Sequence, residues 1–574
     1  MDRITESYLK EFIDDFGYCD ESKFKTENFE KFCAYIVLSG EIPNQSLTSE
    51  DLDFVSTGKN KGIDSICFLV NGRLITSTNE IDDLCETNGY IELVIVFIQS
   101  KTSAKFSDPE VGNFGDTIKD FLLEEPEYDY NSETKKFHEI YLHLLENFAN
   151  VKSFNCKACF CSLGTWSTQT STNKTLGKKQ KEITSLHNNF KHGAFTMYPY
   201  DKKTIHKNYS KINSLLEAEF QFISKSSIEN APDEIDEAYF GSLPFLEFKK
   251  IIVDPETEQI RSLFYDNVRD DLGEKNPVNA SIAQTLDNKY FSIFSLLNNG
   301  VTIIAEENKG GGNNFILSNY QIVNGCQTSN VLYNHKDIDG IEKLSVPIKL
   351  IITKDEDIKD QVILATNNQT IINDEQKMAL TSFQKELEKF YETMPDGLHY
   401  ERRVNQYATT SIKKKNIINV REQIKTFVSI FMEEPYLVSG YFGKVFRTYK
   451  DRIFQIRHKY EPYYFSALIQ YKFKKLLQKK EIDRKYNKAR YHIFYLFRKI
   501  FEPEKFTNDI LTRKKIIEYS ESLIKKLDED KFKDNLSKVL DLIDKSGINL
   551  DDQKEMYKKS TTNALIAKFK EEYQ

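Results

Sequence analysis

The chain has 574 residues, 40% hydrophobic, 13% aromatic and 29% charged, with a net charge of −8. That length leaves room for about three or four domains of roughly 100–200 residues each. No apolar run approaches the ~18 residues of a membrane span, and Met1–Ser7 lacks the basic-then-apolar pattern of a signal peptide. Eight cysteines in so long a chain are too sparse for a disulfide scaffold, so reduced thiols, a cytoplasmic location and no membrane partner are expected.

Taken in order, residues 1–40 read as helical, with Glu30 inside the apolar-periodic run from Asn28 to Leu38. Residues 41–61 read as a polar loop. Ile63–Val70 and Arg73–Thr76 are apolar runs joined by Asn71-Gly72, the strongest short hairpin signal, because a type I′ turn needs φ > 0 twice. Ile91–Ile98 is a β-branched and aromatic run that ends abruptly in Gln99-Ser100-Lys101, as a buried strand does when it carries chemistry at its carboxyl end. Gly112–Leu123 suggests a capped helix, and the acidic stretch Glu124–Tyr130 a domain edge. A helix near Lys135–Asn147 and a strand over Val151–Cys161 follow. Residues 167–185, rich in Ser, Thr, Lys and Gln, read as a mobile loop. Gly241–Ile252 reads as strand-like. Leu263–Ile352 reads as short strands separated by Gly and Asn turns, and the pattern is helical from about Asp374 to the end.

The first constellation is Asp64 with Gln99 and Lys101. Metal-assisted cleavage of a phosphodiester needs a hard cation, oxygen ligands and a group that readies water. Asp64 supplies a strong ligand and the Gln99 carbonyl a weaker, neutral one. Lys101 shares a strand face with Gln99, because strand side chains alternate with period two. It can orient the attacking water and offset charge in the transition state. Glu30 from the first helix can complete the shell. An acid in a helix, then Asp, a hairpin and a strand ending in Gln-x-Lys resembles the PD-(D/E)xK restriction-endonuclease fold, and within it the Mrr type, in which Gln replaces an acid. The resemblance implies Glu30, Asp64, Gln99 and Lys101 as catalytic residues, Asp64 and Gln99 as metal ligands, and Mg²⁺ or Mn²⁺ as cofactor.

The second constellation is a series of blocks. It runs Phe264–Gly273, Pro277-Val278-Asn279, Leu297–Ile304, Gln321–Ser329 with Asn324-Gly325-Cys326-Gln327-Thr328 at its centre, Ala365–Gln369 and Tyr400-Glu401-Arg402-Arg403. This order of motifs resembles the AIPR family, the abortive-infection phage-resistance proteins of prokaryotes, with the specific motifs over 240–405. Amide side chains both donate and accept, so Asn324 and Gln327 suit a nucleotide or nucleic-acid backbone. Arg269, Arg402 and Arg403 can hold phosphate in bidentate fashion. The same amides and arginines can equally stitch core loops together.

Cys156, Cys159 and Cys161 read as core cysteines in a strand, since a lone C-x-x-C is half a zinc site. His138 and His143 are five residues apart on a helix and do not share a face. No phosphate-binding P-loop, nucleophile elbow or dinucleotide fingerprint is present. Residues 411–500 carry 22 Lys/Arg against 7 Asp/Glu. That excess is either an electrostatic footprint for nucleic acid or a set of basic faces that pair with the acidic N-terminal third. Aromatics interleaved with Lys around Tyr441–Lys450 and Tyr471–Lys475 read as core with a basic surface, and offer stacking platforms for bases.

The expected fold is α/β and multidomain. A restriction-endonuclease-like αβ domain spans 1–130, a central mixed α/β AIPR domain 131–405, and a mostly helical region 406–574. The expected function is anti-phage defence by a metal-dependent endonuclease acting on DNA or RNA. A phage-encoded trigger and self-association into a homo-oligomer are the expected partners besides nucleic acid. The alternative is a non-catalytic nucleic-acid-binding or nucleotide-sensing regulator with a degenerate nuclease fold.

Overall fold

The structure is a computed structural model. It describes every residue except 43–44, 59–61, 188–192, 213–215, 230, 256–257, 259, 262, 264–276, 368–377, 380, 409, 441, 551 and 574.

The N-terminal unit is built on one sheet of order β2-β1-β3-β4-β5. Its strands are β1 (Ser65–Val70), β2 (Arg73–Leu74), β3 (Ile91–Lys101), β4 (Val151–Ser162) and β5 (Gly193–Tyr200). β1 pairs antiparallel with β2 and β3, whereas β3, β4 and β5 are mutually parallel. The β1–β2 turn has φ of 50° at Asn71 and 74° at Gly72, as a type I′ turn requires. The helices are α1 (Arg3–Phe16), α2 (Lys25–Glu41), α3 (Ser49–Val55), α4 (Thr78–Asn88), α5 (Asp108–Phe121), α6 (Ser132–Glu146), α7 (Ser171–His187) and α8 (Lys202–Ile212). Alternation along β3 splits them into two layers. Ile91, Leu93, Ile95 and Phe97 pack on α4–α7, and Val96 and Ile98 pack on α1–α3 and α8.

Four features differ from the sequence reading. The polar stretch 41–61 contains α3, whose start is a capping box between Thr48 and Asp51. α4 fills the stretch between β2 and β3, where the sequence reading places no element. Residues expected as a mobile loop form α7, because Leu176 and Ile183 bury one stripe under a Lys- and Gln-rich, helix-forming surface. Finally, a unit ending at residue 130 would omit β4 and β5, which complete the same sheet.

A second sheet has order β6-β10-β9-β11-β8-β7, from β6 (Glu217–Gln221), β7 (Lys225–Ser227), β8 (Glu237–Pro244), β9 (Val301–Asn308), β10 (Asn314–Asn324) and β11 (Ser345–Ile352). Only β9 and β11 run parallel among its described pairs. The expected strand over 241–252 ends at Pro244 and continues as helix α9 (Phe245–Ile252). Phe245, Phe248, Ile251 and Ile252 recur at helical spacing and all are buried. Helices α10 (Pro277–Asp287), α11 (Phe294–Leu297), α12 (Cys326–Asn334) and α13 (Glu356–Asn367) lie in or beside the segment read as strands and turns.

The remainder is helical: α14 (Ser382–Thr393), α15 (Val420–Phe431), α16 (Pro435–Ser439), α17 (Phe442–Tyr449), α18 (Glu461–Gln478), α19 (Arg490–Phe501), α20 (Lys515–Ile524), α21 (Glu529–Lys545) and α22 (Lys559–Tyr573). A short parallel pair, β12 (His399–Glu401) with β13 (Ile417–Asn419), interrupts it. Phe442, Phe446, Tyr449 and Phe473 are core residues there. Its basic residues meet the acidic N-terminal unit along a seam. Asp14 pairs with Lys413 and Lys415, Glu50 with Arg490 (2.9 Å) and Lys474 (3.1 Å), Asp83 with Arg447, and Glu139 with Lys554 (3.0 Å). Much of the positive excess of 411–500 is thus matched within the chain. Among the described residues, no helix is long and apolar enough to cross a membrane.

Candidate active site

The carboxyl end of β3 and the start of β1 lie side by side, because Ser65 is opposite Ile98 in the antiparallel register. Asp64 therefore falls beside the Gln99–Lys101 stretch. Oδ2 of Asp64 accepts from Ser100 N (2.6 Å), Ser100 Oγ (2.8 Å) and Gln99 Nε2 (2.8 Å). Gln99 and Ser100 are buried, while Asp64 and Lys101 are half-buried. Burial pushes the Asp64 carboxyl above its usual range, against the Ser100 bonds and the charge of Lys101. Lys101 forms no salt bridge with a described residue, and its charge acts on Asp64 and Glu30 from longer range.

Glu30 comes from α2, which packs across the face of the sheet that holds Val96 and Ile98. Burial and then the Asp64 charge raise its carboxyl to about 7, with Lys101 opposing. The four residues singled out in the sequence thus form one electrostatic cluster. Sequence reasoning missed Ser100; its signal is a hydroxyl and a strand-end N–H between two residues already suspected, opposite an Asp.

Three features fit a divalent cation. Gln99 Oε1 is buried and has no hydrogen-bond partner. The two carboxyls, Asp64 and Glu30, are both desolvated, and the Asp64 charge raises Glu30 further. The amide can be turned so that its oxygen faces the acids. The donor set is weak, however. Among the described residues no group of three or more Asp, Glu, His or Cys side chains could hold a metal ion. Two carboxylates and an amide would leave the other positions to water and substrate oxygens, the usual habit of Mg²⁺.

The surrounding strand ends are tightly joined. Gly164 follows β4, and a Cβ there would meet Lys105 Cα at 2.9 Å and Ala104 O at 3.0 Å, so only glycine lets these two loops approach. Trp166 then packs edge-on against Phe106 with ring centroids 4.8 Å apart. Cys156 faces α4–α7 while Cys159 and Cys161 face α1–α3, so the three cysteines share no ligand face. Burial pushes all three thiols well up, which leaves them inert.

The other expected residues sit elsewhere. Asn324 donates to Thr366 O at 2.6 Å, and Gln327 Nε2 is buried without a partner. Between them, Gly325 has φ of 93°, and a Cβ would meet Val301 Cγ2 at 2.8 Å and Gly300 O at 2.9 Å; the turn holds β9 and α12 together. Arg402 pairs with Glu388 and donates to Ala379 O at 3.0 Å, and Arg403 pairs with Glu356 and approaches Asp360 (3.5 Å). Both guanidinium groups are matched by carboxylates, and a phosphate would have to displace them. Arg269 lies outside the described residues.

No curated protein and no solved structure gave a significant match to the chain. Residues 264–547 match the family model described as AIPR protein, a stretch that begins beyond the first strands of the second sheet and runs on through most of the helical region. That match supports an AIPR identity, as the motif series implied.

Proposed function

We propose that the N-terminal unit is a metal-dependent nuclease domain of PD-(D/E)xK, Mrr-like type, and that the chain defends its host against phage by cutting DNA or RNA. The AIPR match over residues 264–547 supports the defence role, because the family that the motif series resembles is one of abortive-infection proteins. The nuclease reading is carried by one observation: Asp64, Gln99, Lys101 and Glu30, from a loop, a strand end and a helix, converge in one cluster.

The residues divide the work as follows. Asp64, Glu30 and Gln99 Oε1 hold the cation, and Ser100 fixes Asp64 by two hydrogen bonds. A bound Mg²⁺ or Mn²⁺ supplies positive charge to the scissile phosphate and lowers the pKa of water. Lys101 orients the attacking water and screens the charge that builds on the phosphate. In the metal-free chain Glu30, with its carboxyl near 7, is partly protonated at neutral pH, and it would give up that proton on ligating the cation.

The second reading, a nucleic-acid reader without catalysis, is favoured by the presence of two carboxylates rather than three. Plating efficiency separates the two. A phage panel would be plated on hosts carrying the wild-type chain, Asp64→Ala or Lys101→Ala. Loss of protection in both variants at equal protein level supports the nuclease. Full protection by both sinks it and leaves the reader.

A further inference from the structure

Where the helical region meets the N-terminal unit, the seam does not close. A cavity of about 160 Å³ remains between the end of α1, the stretch Ser46–Ser49, the strand β13 and α18. That is room for several water molecules and well below the ~300 Å³ of a drug-sized site.

Its wall is rich in ammonium groups. Lys414 and Lys415 reach it from one side, and Lys474, Lys475 and Lys479 from α18 and its end. Three of these are committed: Lys415 to Asp14, Lys474 to Glu50 and Glu422, and Lys475 to Glu529. Lys414 and Lys479 form no salt bridge with a described residue. The Lys414 ammonium lies 6.0 Å from the Phe16 ring centroid, so an aromatic wall stands beside the cation. Against five lysines the lining holds two carboxyls. Glu422 is neutralised by Lys474, and burial, more than any neighbour, holds the Glu401 carboxyl up to about 7.

The cavity is framed on both sides by direct bonds. Gln478 Nε2 donates to Phe16 O at 2.8 Å, Lys414 N donates to Asp15 at 2.7 Å, and Ser46 Oγ donates to Asn405 Oδ1 at 3.2 Å. Gly17 has φ of 78°, and a Cβ there would meet Gln478 Oε1 at 2.8 Å. These contacts join the two sides of the cavity at its rim.

We propose that this cavity binds a phosphate-bearing small molecule, of the size of pyrophosphate or the phosphate end of a nucleotide, between the N-terminal unit and the helical region. Lysine is a compact point charge with three donors, suited to phosphate oxygens from several directions. A multiply charged anion would draw Lys414 and Lys479, one from each side of α18's neighbourhood, onto a common partner. It would also tie the helical region to the layer that carries Glu30. The proposal does not depend on the nuclease reading.

Isothermal titration calorimetry of the full chain tests it, with inorganic pyrophosphate and tripolyphosphate as probes and sulfate at equal ionic strength as the control. The expected result is saturable binding of pyrophosphate or tripolyphosphate at one site per chain, weakened at least tenfold by Lys414→Ala and by Lys479→Ala. Both lysines lie outside the buried ion pairs, and thermal melts without ligand check that each variant is folded. No saturable binding to the wild-type chain overturns the proposal. Binding that both substitutions leave unchanged, or that sulfate matches, overturns it equally.

Discussion

Gln99 donates its amide N–H to Asp64 at 2.8 Å, so a neutral side chain stands where a third acid would make the cluster far more anionic. Replacing it tests what that neutrality does. Gln99→Glu removes the donor and sets a second carboxylate against Asp64 in a buried place. Without metal the variant should be destabilised by about 1–3 kcal/mol. With Mn²⁺ it should gain more thermal stability than the wild type, with apparent affinity about tenfold higher. Thermal melts across a Mn²⁺ series read both. Equal metal response in the two proteins would argue against a cation held at Gln99.

Glu30 gives a pH signature. Its carboxyl is raised from 4.5 to about 7 by burial and by Asp64. Between those values the folded chain binds more protons than the unfolded one, so stability falls as pH rises through that window. Allowing for the partial exposure of the side chain, the loss is about 1–2 kcal/mol. Glu30→Gln should therefore stabilise the metal-free protein by that amount at pH 8 and leave it unchanged at pH 4. Urea unfolding at both pH values decides it; a variant less stable at pH 8 would contradict the assignment.

The seam between the acidic and basic parts is the next target. Burial works against the Glu50 charge, but Arg490 and Lys474 outweigh it and hold the carboxyl down to about 2. The stability this contributes is present above the ordinary carboxylate value and is lost as pH falls toward 2. Glu50→Gln should cost about 2–4 kcal/mol at pH 7, because Arg490 loses its carboxylate partner and Lys474 keeps only Glu422. It should also make linkers between the two parts more sensitive to protease at high salt. A cost under 0.5 kcal/mol would mean that the seam is held by packing alone.

Arg402 separates a structural role from phosphate binding. Its side chain is buried against Glu388 and Ala379 O. Arg402→Ala should destabilise the chain by about 3–5 kcal/mol, since Glu388 then loses its cation and keeps only the hydrogen bonds from Gln406 and Tyr407. If Arg402 instead serves phosphate, nucleic-acid affinity would drop while the unfolding midpoint stays put.

Much of the N-terminal layer could be read in advance, and particular residues show why. Asn71-Gly72 dictates a turn by backbone sterics alone, and Ile91–Ile98 has no other place than a doubly covered strand. Asp64, Gln99 and Lys101 follow from that, because register and alternation bring them to one end. What escaped was decided by tertiary contacts. The Lys- and Thr-rich residues of α7 look like a loop until Leu176 and Ile183 find the sheet. β4 and β5 belong with β3 only because two crossovers return the chain to the same layer, and local sequence does not specify the partner of a parallel strand. Arg402 and Arg403 look like ligand residues until Glu388 on α14 and the more distant Glu356 and Asp360 on α13 come to meet them.

The central claim is tested most directly by cleavage with purified protein. Plasmid DNA, single-stranded DNA and total RNA would be incubated with the chain in Mg²⁺, Mn²⁺ or EDTA, beside Asp64→Ala and Lys101→Ala. The account predicts metal-dependent cutting of at least one substrate, abolished by EDTA and reduced by at least a hundredfold in both variants. Cutting that survives in EDTA or in both variants would contradict it.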